Sequence, residues 1–186
     1  EGNVIGDASL WEKAMASPGI GWEDIGNYYG AGASALSFHE NSYLLTFKPG
    51  KKEGDSTVIS RIEPNLEYIT LYNEVKTGPI GSGDQACLYG GEFSCQQYVR
   101  GFIPAGVPEF SIKGAIPDPA LACAYLLEKG LLEAKITVEH QTIPKSSKKT
   151  IATSYSPKIS EIVFWVNQKS INLYAEHLLK KMGQVQ

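Results

Sequence analysis

Cysteine and histidine are scarce in this sequence, with three of each. Cys87, Cys95 and Cys123 lack the close pairing from which zinc sites and disulfide scaffolds are built. His39, His140 and His177 are far apart in sequence and have no ligand-type partner at i, i+4; they read as surface or internally satisfied imidazoles. No metal and no other cofactor is expected. One cysteine pair stays open: if Leu88-Tyr89 and Phe93-Ser94 are the arms of a hairpin around Gly90-Gly91, a three-residue turn sets Cys87 opposite Cys95. A disulfide could then form in an oxidising compartment, whereas a slip of one residue in register would part the two thiols.

Long apolar runs are absent as well. Stretches such as Ile162-Val163-Phe164-Trp165-Val166 fall far short of the ~20 residues a membrane helix needs, so no membrane span is expected. Nor is there a basic cluster. Seventeen Lys plus Arg stand against twenty Asp plus Glu, a net charge of -3, and a nucleic-acid partner would require a phosphate-neutralising patch. What remains is a globular composition, 42% hydrophobic and 20% charged over 186 residues, which suffices for one domain or two small ones. The chain begins at Glu1, with neither Met nor a signal peptide, and is expected to be a piece of something longer.

The pattern of residues divides the chain into β-like and helical parts. Ser9-Leu10-Trp11-Glu12 reads as a capping box opening a short helix. Residues 18–33 are Gly-rich and aromatic and read as an ordered loop. Strands are expected over 42–47, 57–62, 66–72, 97–103 and 110–116, mostly antiparallel, the third alternating apolar with polar residues. At Asp118 the period changes: Asp118 is placed as N-cap and Pro119 at the first helical position. The helix runs to about Ala134, with Gly130 inside it costing ~1 kcal/mol relative to Ala. Ile136-Thr137-Val138 reads as a short strand and 145–149 as a basic loop. Helices over 160–169 and 173–182 close the chain, so the fold class is α+β.

Three short motifs carry chemistry. Enzymes that are acylated on serine by penicillin combine Ser-x-x-Lys, Ser-x-Asn and Lys-Thr-Gly. The first puts a nucleophilic hydroxyl one helical turn from an amine, the second supplies a relay hydroxyl and a substrate-holding amide, and the third offers a cation to the substrate carboxylate. All three patterns occur, as Ser146-Ser147-Lys148-Lys149, Ser170-Ile171-Asn172 and Lys76-Thr77-Gly78. Two are rejected. Lys76 precedes Ser170, whereas Lys-Thr-Gly should follow Ser-x-Asn, and Thr77-Gly78-Pro79 reads as a turn after a strand. Ser146 sits in a polar Ser/Lys run without the periodicity of a buried helix.

Ser170-Ile171-Asn172 has more support from its surroundings. Residues 156–162 and 167–176 resemble the helix, Ser-x-Asn loop and following helix of the D-alanyl-D-alanine carboxypeptidase/endopeptidase family, the low-molecular-mass class C penicillin-binding proteins. Gly6-Asp7-Ala8-Ser9 is similar to that family's Gly-Asp-x-Ser segment, and Gly21-Trp22-Glu23-Asp24-Ile25 with Tyr28-Tyr29-Gly30-Ala31 to its Trp-x-Asp and Tyr-Gly-Ala stretch. Val99-Arg100-Gly101 with Ile103-Pro104, and residues 114–120, resemble the end of its inserted region. The matches fall in order from residue 6 to about 182.

The resemblance implies a serine transpeptidase/β-lactamase-like domain carrying β-rich inserted domains. On that basis 1–64 would be the first part of an inserted domain, 65–116 a nested β-rich domain, 117–152 the return of the inserted domain, and 153–186 a partial transpeptidase-like domain. The nucleophile helix would lie before Glu1 and the true Lys-Thr-Gly after Gln186, leaving this chain inactive alone. The parent protein would cleave peptidoglycan stem peptides through an acyl-serine intermediate, in the periplasm or otherwise outside the cytoplasm, and would bind beta-lactams at full length. Ser170 would hold the proton-relay hydroxyl, Asn172 the substrate-holding amide, and Asp24 would meet the ammonium of the stem-peptide diamino acid. Carboxypeptidase and endopeptidase action share this chemistry. Each residue also has a plainer reading: Ser and Asn favour helix-helix turns and N-caps, and Asp24 could be a loop carboxylate. A competing reading makes the chain a non-catalytic β-rich module that binds glycan or peptide through Trp22, Tyr28 and Tyr29.

Overall fold

The computed structural model describes residues 3–137 and 149–184. A one-turn helix α1 (Trp22–Ile25) and 3₁₀ turns at Tyr28–Gly30 and His39–Asn41 precede seven strands: β1 (Ser42–Lys48), β2 (Val58–Glu63), β3 (Thr70–Asn73), β4 (Lys76–Gly78), β5 (Gln85–Tyr89), β6 (Gln96–Pro104) and β7 (Phe110–Ala115). Helices α2 (Pro119–Glu133), α3 (Ile159–Lys169) and α4 (Asn172–Gly183) follow. The α+β class stands.

Two sheets are formed. The first has the order β2-β1-β7 and is antiparallel throughout, with Tyr43 opposite Gly114 and Leu45 opposite Ile112. The second is organised by β6, which pairs antiparallel with β5 but parallel with both β3 and β4. The expectation of mostly antiparallel pairing therefore holds for the first sheet and fails for two of the three pairings in the second. β3 meets β6 over Gln96–Val99 and β4 meets it over Phe102–Pro104. Between these stretches Gly101 has φ +106°, and a Cβ there would come within 2.1 Å of the Gln85 carbonyl oxygen. Only glycine allows β5 and β6 to approach so closely at that backbone angle.

The two sheets and α2 share one core. Tyr43, Leu45 and Phe47 of β1 and Ile112 of β7 pack with Leu88, Val99 and Ile103 of the second sheet and with Val75 between β3 and β4, and Ala122 of α2 joins them. Each large apolar side chain buried this way contributes ~1.5–3 kcal/mol. One polar link crosses the core: the Tyr43 hydroxyl donates to Gln97 Oε1, and Gln97 Nε2 donates to the Ala115 carbonyl at 3.3 Å. Both side chains are fully buried, and burial drives the Tyr43 phenol far up from its ordinary value.

Several expected elements change. Residues 8–17 form turns instead of a helix; Asp7 Oδ1 accepts from Ser9 N at 2.9 Å, and the carbonyl of Leu10 is taken by the Gln184 side chain. The expected 66–72 strand begins only at Thr70. Leu66 and Ile69 are both buried and closed into a turn by Ile69 N donating to Leu66 O, which alternation along a strand would not allow. Thr77-Gly78-Pro79, read as a turn after a strand, instead begins within one: Thr77 and Gly78 belong to β4. Ile136 and Thr137 are not in a strand: Lys135 at φ +60° ends α2, with its amide donating to Leu132 O and that of Ile136 to Leu131 O. This is a Schellman closure with Lys where glycine is usual. Val138, His140 and most of the 145–149 loop, with Ser146, lie outside the described residues. At the start of α2 the cap is as expected, with Asp118 Oδ1 accepting from Leu121 N at 2.9 Å and Pro119 first in the helix.

The cysteine pair is settled by register. β5 and β6 match Tyr89 with Tyr98 and Cys87 with Arg100. Cys95 lies before β6, well away from any position opposite Cys87, and both thiols are free. The turn is longer than three residues, so the hairpin that would have joined them does not form.

Candidate active site

The segment from Trp22 to Ala31 is held against β5 by backbone proximity. A Cβ on Gly26 would fall 2.3 Å from the Leu88 carbonyl oxygen, and one on Gly30 would fall 2.0 Å from that of Asp24. Asn27, buried between these glycines, substitutes for a strand residue: its Oδ1 accepts from Leu88 N at 3.0 Å, and its Nδ2 donates to Leu88 O at 3.4 Å and Glu23 O at 2.9 Å. A buried amide satisfied on both ends costs about 1–3 kcal/mol to disrupt, so this loop is rigid by construction.

Tyr29 connects the expected site residues. Its hydroxyl donates to Asp24 Oδ1 at 3.2 Å, and its carbonyl accepts from Asn172 Nδ2 at 2.9 Å. Asp24 and Asn172 are thus brought to opposite ends of one tyrosine, although Tyr29 and Asn172 are 143 positions apart. Asn172 opens α4. Ser170 is exposed and sits in the tight link between α3 and α4 with φ 53°, ψ 46°. A non-glycine residue in the left-handed region costs about 1 kcal/mol or more, and such strain concentrates where a side chain must be aimed.

The α3–α4 pair is seated on the early part of the chain by α4. His177 Nδ1 donates to Leu173 O at 2.7 Å, while its Nε2 shares a 2.7 Å hydrogen bond with Ser37 Oγ. Trp11 packs edge-on against the His177 ring at 5.3 Å, and Tyr174 Oη donates to Glu40 Oε1 at 3.1 Å. An apolar groove of about 560 Å³ lies alongside, walled by Phe38, Ile162, Trp165 and Leu173 among others. His177 and His39 are accordingly satisfied histidines, the latter through Nδ1 and Ser42 O at 2.9 Å. Among the described residues no group of three or more His, Cys, Asp or Glu is arranged to hold a metal ion.

Sequence reasoning missed Tyr29 as a connector, Asn27 as its anchor and Lys113, whose Nζ lies 5.8 Å over the Tyr28 ring. The available signal was the Tyr28-Tyr29-Gly30 triplet, which read as part of an ordered Gly-rich loop and, in the competing reading, as aromatics that bind glycan or peptide. The rejected Lys76 lies on β4 and donates to Ser56 Oγ, while Thr77 is buried and accepts from Gly50 N at 2.7 Å. That threonine is a structural residue. Burial, then Asp84 and Asp24, push the Cys87 thiol up from its ordinary value, which favours the protonated form.

Burial, then the hydrogen bond to Asp24, raises the Tyr29 phenol from 10.0 to about 12. A raised phenol means that the folded chain prefers the protonated form, so this contribution to stability is complete below pH 10. It is lost as pH climbs from 10 to about 12. In alkaline melting curves Tyr29→Phe is expected to decline less steeply than the unaltered chain across that window; parallel curves would refute the linkage.

The architecture consists of two small sheets, α2 packed on their shared core, and a helix pair joined by a tight turn. Crystal structures of penicillin binding protein 4 from Haemophilus influenzae share it. One matches with a TM-score of 0.66 at 17% identity over 94% of this chain, and another, in complex with a novel beta-lactam, with 0.53 at 16% identity over 77%. This chain spans 39% and 33% of those two chains. It belongs to the D-Ala-D-Ala carboxypeptidase 3 (S13) family, which it matches over residues 1–186. Among the described residues no helix is long and apolar enough to cross a membrane.

Proposed function

We propose that these residues supply the β-rich inserted region and the Ser-x-Asn corner of a serine-type D-Ala-D-Ala carboxypeptidase/endopeptidase acting on peptidoglycan stem peptides outside the cytoplasm. The observation that carries this reading is the hydrogen-bonded series Asp24–Tyr29–Asn172, which fixes a carboxylate and an amide at one rim. In the reaction, a serine hydroxyl from a segment outside residues 1–186 attacks the carbonyl carbon of the penultimate D-Ala. Its proton passes to the leaving nitrogen through Ser170, the C–N bond breaks, and D-Ala departs. Water then hydrolyses the acyl-serine ester. Asn172 holds the substrate amide, and a beta-lactam would acylate the same serine in the full-length protein.

The division into 1–64, 65–116, 117–152 and 153–186 is part of this proposal. Its support is that β3 to β6, all within 65–116, form a sheet of their own; β7, in the same range, pairs instead with β1 of 1–64.

Asp24 is proposed to receive the ammonium of the stem peptide's diamino acid. Exposed charge pairs contribute at most about 1 kcal/mol. In the full-length protein Asp24→Asn is therefore expected to raise KM roughly fivefold for free-amine substrates, with kcat preserved and N-acetylated substrates unaffected. Equal KM for both substrate forms, before and after substitution, would remove Asp24 from the site.

A further inference from the structure

The outer face of the second sheet is aromatic. Tyr98 is the direct cross-strand partner of both Tyr72 and Tyr89, so the three side chains leave the sheet on one side. Their neighbours Leu88 and Val99 point to the buried side. Tyr72 and Tyr98 stack at 4.7 Å, and Arg100, two residues further along β6, lies 5.4 Å over Tyr98 and 5.5 Å over Tyr89. A groove of about 770 Å³ runs beside them, lined by Trp22, Tyr89, Ser94, Gln96, Tyr98 and Arg100. Trp22 is 64% exposed, a large fraction for an indole seated against the Gly90-Gly91 turn.

The cation of this groove is ion-paired and its carboxylate is held by backbone amides. Arg100 Nε donates to Glu74 Oε2 at 2.8 Å, and Glu92 Oε1 accepts from the backbone amides of Met15, at 2.7 Å, and Ala16. An acid would find the Arg100 guanidinium already paired, whereas a neutral polyol would find aromatic rings for its C–H faces and polar side chains for its hydroxyls. A peptide strand added to β5 is disfavoured, because Asn27 occupies Leu88 N and O on its outer edge. The groove also adjoins the rim described above: Trp22 and Asp24 share α1, and Cys87, which feels the Asp24 charge, is the cross-strand partner of Arg100.

We infer that this groove is a saccharide-binding site that takes a neutral chain of N-acetylated hexosamines. The choice of peptidoglycan glycan as its polymer rests on the proposed function; the affinity for sugar does not. It would hold the glycan strand while the stem peptide reaches the catalytic corner.

The test titrates the 186-residue chain with the β-1,4-linked tetrasaccharide of N-acetylglucosamine, read by tryptophan fluorescence and amide chemical shifts. Saturable binding is expected, with shifts at Trp22 and residues 90–98. Trp22→Ala and Tyr89→Ala should each weaken it at least about tenfold, as loss of an aromatic anchor usually does. Trp22→Phe, which keeps a π-face, should fall between. A sugar-free D-Ala-D-Ala pentapeptide should leave the groove signals unmoved. Absence of saturation, unchanged affinity in folded Trp22→Ala and Tyr89→Ala, or shifts confined to residues 170–172 would overturn the site. Failure of the acyl-serine reading would appear separately, as no D-Ala release from the full-length protein with sugar binding intact.

Discussion

Ser170→Ala in the full-length protein should lower D-Ala release by ~10²–10⁴, the usual contribution of a positioned proton-transfer group. Thermal unfolding should change little, because Ser170 is exposed and lies outside the core. The left-handed backbone at this residue supplies a control. Ser170→Gly removes the hydroxyl while easing the backbone, so it should match Ser170→Ala in turnover and equal or exceed the unaltered protein in stability, by up to about 1 kcal/mol. Turnover that followed stability instead of the hydroxyl would make Ser170 a turn residue only.

The 186-residue chain alone should turn over D-Ala-D-Ala peptides at least ~10⁴–10⁶-fold more slowly than the full-length protein, because the members of a nucleophilic catalytic set act as a unit. Its fold should nonetheless be cooperative, since the shared core joins both sheets and α2. Steady release of D-Ala by the folded chain, above the uncatalysed rate, would show that its own residues include a nucleophile.

What was readable in the residues was what depended on local pattern. β1, β7 and the Asp118-Pro119 start of α2 each carry their signal within a few positions, and each formed within a residue or two of expectation. Ser9-Leu10-Trp11-Glu12 had an equally good local signal and failed. Its backbone and indole are used by α4 through Gln184 and His177, contacts invisible over such a separation. β4 was missed for a related reason: three residues with Lys, Thr and Gly make a strand only because β6 offers Phe102–Pro104 in parallel. The site follows the same rule. Ser170, Asn172 and Asp24 could be singled out as residue types, but Tyr29, which joins two of them, contributes a backbone carbonyl as well as its phenol. A carbonyl has no residue identity to read.

The central claim is that this chain supplies the relay and the substrate-holding amide while the nucleophile comes from elsewhere in the protein. Peptide mapping of the full-length protein after reaction with a labelled penicillin tests it most directly. The account predicts a single acyl adduct on a serine outside residues 1–186. An adduct on Ser170, on Ser146 or on any other residue of this chain would contradict it.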